Sequence, residues 1–398
     1  MGRAREIARL RRRVRIGAPD PGLTRFGGMV AATELVDRLG MIKLLDGAIG
    51  PIKTRQRGYS GGELLIGIAA AQLAGEDFLV GLDRQRADAA GQLLAPVARL
   101  SSTTAAGLAR RFTPAHFRGV EGGVAAVTAA MPAMLAATRA AALCQAPTID
   151  LDTTDGEVYG RQKRGVACNH HGQRVGRPHV ATWAETGVAP AADLMGGNDD
   201  PRSHPAGLFE GVEFAIGAKR IAPLWRSLSG IAETDWVDAV DTHAAQVAVT
   251  DYCPDWWPAR TRLLIRRVRL DIDAGQVWGD PRSRRRRTLH PDQRALPPPE
   301  LADADAVYAY SFIMTNLDVS TPERAATVEH WYRHRTEIEN IFRDSKHGSA
   351  LRHLPSGYPQ LNTVWMWGAL LATSIAGWLH QLTATTHDGR LVGPFPIL

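Results

Sequence analysis

The sequence predicts an α/β protein: a helical N-terminal region, a mixed sheet, a β-rich insertion and a helical C-terminal part. Three observations predict it. Residues 28 to about 145 are rich in Ala, Leu, Gly and Arg with few β-branched clusters, as helices prefer. At Thr148 the pattern switches to period two in Thr148-Ile-Asp-Leu-Asp-Thr-Thr154, the alternation of a strand. A helical pattern returns after Thr321, which reads as an N-cap with Pro322 at the first helical position.

The chain has 398 residues, enough for two or three domains and a sizeable core. Hydrophobic residues make up 44% and charged residues 22%, which fits a soluble globular protein. The net charge of +6 favours an acidic polymer as partner. Cys144, Cys168 and Cys253 show no metal-type spacing, so neither a disulfide framework nor a zinc site is expected, and the compartment reads as reducing, hence cytoplasmic. Seven arginines crowd the first fifteen residues, with no apolar run after them to make a signal peptide. That arm is a solvated tail or a phosphate-contacting extension.

Along the chain, Leu64 to Leu79 is apolar enough for a central buried helix. Ser101 to Phe112 reads as a capped helix, hydroxyls leading and basic residues trailing, either an ordinary helix or a recognition helix on DNA, and Met131 to Ala142 as another helix. In the strand from Thr148, Ile149 and Leu151 share one face and Asp150 and Asp152 the other. Glu157 to Gly160, His179 to Trp183 and Val188 to Met195 follow as strands of an antiparallel meander. Strands are expected again at Val212 to Arg220, Arg262 to Asp271 and Val307 to Asn316. Val364 to Leu382 is a buried helix, too short in its apolar run for a bilayer. Trp256 and Trp257 are local core or a stacking surface, and Arg282 to Arg287 a solvated loop or a phosphate clamp.

Read as one helix, Trp331 to Lys346 puts Tyr332, Arg335, Glu339 and Lys346 within an arc of about 60°. Ile338, Ile341 and Phe342 give that helix an apolar side. The stripe is either an exposed salt-bridged face or part of a site that holds a metal beside a phosphate. Asp is disfavoured in strands, so Asp150 and Asp152 are either charge on the sheet's polar edge or, for at least one of them, part of a site.

With these residues in view, the chain resembles the bacterial insertion-sequence DDE transposases that carry a Tyr-x2-Arg-x3-Glu-x6-Lys signature. Tyr332, Arg335, Glu339 and Lys346 match that spacing, and Ile149-Asp-Leu-Asp-Thr-Thr154 is similar to the strand bearing the family's first catalytic Asp, which maps to Asp152. The resemblance runs from about Pro21 to about Leu382. It implies a ribonuclease-H-like mixed sheet with an insertion before the Glu-bearing helix, and a helical region that binds transposon ends. The layout it implies is a basic arm (1–27), a helical DNA-binding domain (28–146), a first catalytic part (147–214), an insertion (215–316) and a closing helical part (317–398). It further implies Mg²⁺ held by Asp152 and Glu339, and DNA phosphates met by Tyr332, Arg335 and Lys346. Double-stranded DNA is the implied partner, bound by a homodimer, and the implied reaction is strand cleavage followed by strand transfer.

One departure matters. The family's second catalytic Asp sits in an Arg-x-Asp-Ser/Ala/Thr-Gly-Tyr/Phe segment, and no such segment exists here. Only 17 residues, 197 to 213, separate Gly196 from Phe214. A strand-helix-strand unit needs about 30 or more. The sequence therefore reads as carrying an internal deletion that removes a sheet strand and a metal ligand. Asp199 and Asp200, in a Gly/Asn/Pro turn, are turn formers first and substitutes second. The expectation is a transposase by descent with strand transfer lost, or a non-catalytic remnant that occupies transposon ends.

Overall fold

The computed structural model describes residues 18, 20–55, 57–160, 162–199, 213–218, 221–254, 257–258, 260–270, 307–333, 336–383, 386–387 and 390–391. The protein is mixed α/β with two antiparallel five-stranded sheets. The chain divides into two units, Met1–Asp200 with Thr336–Leu398, and Pro201–Arg335.

The first unit opens with helices α1 (Met29–Arg38), α2 (Met41–Ile49), α3 (Gly61–Leu73), α4 (Gly81–Arg86), α5 (Ala89–Leu94), α6 (Ser102–Ala109), α7 (Pro114–Ala130) and α8 (Ala137–Gln145). Side chains close the first turns of α3, α5, α6 and α7. Ser60 and Glu63 form a reciprocal capping box on α3, and Ser101 accepts the Thr104 N–H on α6. The helix expected over Met131–Ala142 is interrupted. A 3-10 turn at Met131–Met134 ends where Leu135 turns extended (φ −91°, ψ 161°), and α8 starts two residues later. Pro132, with no N–H to give, favours this break.

Strands β1 (Ile149–Thr153), β2 (Gly156–Glu157), β3 (Ala167–Cys168), β4 (Arg174–Trp183) and β5 (Val188–Gly196) form the first sheet. All pair antiparallel to β4, with Asp152 opposite Val180 and His179 opposite Asp193. Among the described residues, β1 pairs with β4 alone. Helices α11 (Thr336–His347) and α12 (Pro359–Thr383) complete the unit. Most of α12 is buried, packed on α3 and β5. A Cβ at Gly368 would lie 2.6 Å from Ile68, so glycine is what lets α12 approach α3 so closely. No helix among the described residues is long and apolar enough to cross a membrane.

The second unit contains β6 (Ala215–Gly217), α9 (Ala222–Ser229), β7 (Val237–Asp238), β8 (Ala245–Thr250), β9 (Arg262–Leu270), β10 (Val307–Thr315) and α10 (Pro322–Arg333). Its sheet order is β6-β10-β9-β8-β7. Alternation along β9 splits the core in two. Leu264 joins Val247, Ile313 and Val328 of α10, while Leu263 and Ile265 join Phe312, Met314 and Leu224 of α9. Trp257 is partly buried and packs against this second cluster, its ring 5.8 Å from Phe214. Trp256 and Arg282 to Arg287 lie outside the described residues.

Candidate functional site

Asp152 stands on β1, partly exposed, with its Oδ1 accepting the Thr153 N–H at 2.8 Å. Its strand is inverted relative to an ordinary sheet edge. Ile149 and Leu151 are 48% and 41% exposed, while Asp150 and Asp152 face the side that holds buried Val180. Period two set the two faces, and the packing decides which one is covered.

Helix α11 packs against β1 and α12. Ile338, Ile341 and Phe342 are buried, and the Ser345 hydroxyl meets that of Thr373 at 3.0 Å. This seating leaves Glu339 exposed and Lys346 half-buried. Burial lowers the Lys346 ammonium below its ordinary pKa, against the opposing charges of Asp155 and Glu157.

Those two acids mark a polar cluster at the end of β1. Asp155 accepts from Arg177 Nε at 2.9 Å and from Asn169 Nδ2 at 2.8 Å. Burial pushes its carboxyl up, yet these hydrogen bonds and the charges of Arg177 and Lys346 hold it below the ordinary carboxylate value. On β4, burial holds the His179 imidazole below its usual pKa despite the charges of Asp193 and Asp152. Sequence reading missed Asp155 and Arg177. Their only signal was an acid three residues past Asp152, and their partners are distant in sequence.

The signature residues divide between the two units. Asp152, Glu339 and Lys346 belong to the first, Tyr332 and Arg335 to the second. Of the helix expected across Trp331–Lys346, the parts up to Arg333 (in α10) and from Thr336 (in α11) are helical, and His334 and Arg335 lie outside the described residues. Tyr332 packs against the Val247–Leu264–Ile313 cluster, and a Cβ on Gly217 would lie 2.6 Å from its hydroxyl. The ring is thus used in packing, with glycine making room for it. Upstream on α10, Glu329 is fully buried between Arg333 Nε at 2.6 Å and Arg266 Nε at 2.9 Å.

A two-ion site needs acids converging from separate elements. Among the described residues, no three His, Cys, Asp or Glu side chains gather as a metal-holding group. The nearby acids have other work. Asp155 is bound as above, and Asp199 closes a turn, its Oδ2 accepting the Gly196 N–H at 2.7 Å. Asp200 lies outside the described residues. Asp152 and Glu339 alone do not complete the donor set for two magnesium ions. Compared with models of known protein families and with curated proteins, the chain matches none.

Proposed function

We propose that the chain is a DNA-binding protein of DDE-transposase descent, whose ribonuclease-H-like catalytic centre keeps Asp152 and Glu339 without the second catalytic Asp. The observation that carries this reading is the setting of β1. The Asp152 strand is paired on one edge only among the described residues, beside the helix that bears Glu339 and Lys346. An antiparallel meander whose first strand carries an acid is how a ribonuclease-H-like sheet begins. Its next strand would pair on the outer edge of β1, where the second Asp would stand.

The exposed Ile149 and Leu151 support the same reading. A sheet face with helices on it hides such residues. The 17 residues from 197 to 213 are too few for the missing strand and its helices. Mg²⁺ on Asp152 and Glu339 would supply charge to a bound phosphate. Lys346 would neutralise a backbone phosphate without reading sequence. The product of this arrangement is occupancy of DNA ends, by two copies per complex, with strand cleavage lost.

Binding of the full chain to labelled duplexes from the DNA flanking its coding sequence tests this. Affinity should fall with salt, log K against log salt having a slope of about −0.9 for each phosphate neutralised. Failure to bind any duplex at low salt would refute the reading.

A further inference from the structure

Three aromatic rings stand exposed on the first unit: Phe78 (52%), Tyr159 (70%) and Tyr358 (50%). They stand on separate stretches of chain that side-chain and backbone contacts bring together in two groups. Phe78 lies 4.8 Å from the His353 ring, and the neighbouring Arg352 pairs with Asp77 at 3.0 Å. The Arg352 carbonyl accepts the Glu157 N–H at 3.3 Å, and Glu157 Oε2 accepts the Tyr159 hydroxyl at 2.6 Å. Beyond Tyr159, Lys163 Nζ donates to the Leu354 carbonyl at 2.7 Å, and the Arg164 N–H to that of Gly357 at 3.3 Å. Tyr358 follows, with the Arg110 guanidinium 4.7 Å from its ring centroid.

The result is a track of rings interleaved with cations. Arg110, Lys163, Arg164 and Arg352 outnumber Asp77 and Glu157 along it, so its charge is positive. Aromatic faces offer a base something to stack on, and the cations between them suit phosphates spaced along a strand. A duplex hides its base faces within its own stack.

We propose that this track binds a single-stranded nucleic-acid segment, its bases on Tyr159, Tyr358 and Phe78 and its phosphates on the intervening cations. The inference rests on the DNA-binding reading and adds the state of the strand that is held.

Fluorescence anisotropy of the full chain with labelled oligo(dT), and with a duplex of the same length, tests it. Tyr159→Leu and Tyr358→Leu should each weaken oligo(dT) binding about 5- to 150-fold, the range of one lost base stack. Tyr159→Phe and Tyr358→Phe keep the ring and should retain binding within about twofold of the parent. All four variants should keep the parent's unfolding midpoint, which separates lost contact from lost fold. Duplex binding without oligo(dT) binding overturns this proposal alone, as do Leu variants that bind like Phe variants. Capture of polyglutamate in place of oligo(dT) overturns it in favour of an acidic protein partner. Failure to bind either nucleic acid overturns it together with the DNA-binding reading.

Discussion

Replacing Leu151 with threonine probes the bare face of β1. Full burial of a leucine is worth about 1.5–3 kcal/mol. Leu151 keeps 41% of its surface in water, so the apolar loss is at most about 0.9–1.8 kcal/mol. Threonine is β-branched and suits a strand, which returns part of that loss. The net cost should fall below about 1 kcal/mol. Val180 provides the contrast, since it is fully buried on the adjacent strand. Val180→Thr keeps the shape but puts a hydroxyl into the core, at about 1–3 kcal/mol. Urea unfolding of both variants, followed by fluorescence and circular dichroism, gives the two costs. A Leu151→Thr penalty above about 2 kcal/mol would mean that the β1 face is covered. A missing strand with its helices would then not account for the exposure of Ile149 and Leu151.

Other outcomes follow from named contacts. Glu329→Ala leaves Arg266 and Arg333 facing a buried gap and should cost about 3–5 kcal/mol by urea unfolding; a cost under about 1 kcal/mol would show the pair to be solvated. Burial holds the His353 imidazole below its ordinary pKa of 6.5, so its contribution is full above that value and is lost as pH falls through the folded pKa. His353→Phe keeps a ring beside Phe78 and Trp365, and should flatten the stability loss between about pH 7 and 5; an unchanged slope would assign that loss elsewhere. Lys346→Ala should weaken duplex binding across all sequences and reduce the salt slope by about 1; an unchanged slope would remove Lys346 from the phosphate contacts.

Local chemistry was legible in the sequence. Thr321 and Pro322 open α10, Ser101 caps α6, and the alternation from Ile149 to Thr153 is a strand with both Asp residues on one face. Legibility ended where packing decides. Nothing in period two says which face of β1 is covered. A 3.6-residue period runs unbroken through Trp331–Lys346, yet the two units part at Arg335, so a continuous polar stripe did not reveal the division. The Asp155–Arg177–Asn169 cluster joins residues more than ten positions apart, beyond the reach of any local pattern. The short interval between Gly196 and Phe214 is a count of residues, too few for a strand-helix-strand unit, and among the described residues β1 pairs with β4 alone.

The most direct measurement is Mg²⁺-dependent strand cleavage on DNA that the full chain binds, with the parent and Asp152→Ala side by side. The account predicts binding by both and no nicked or joined product from either. Robust cleavage by the parent, abolished in Asp152→Ala, would contradict it and require a third ligand to complete the site.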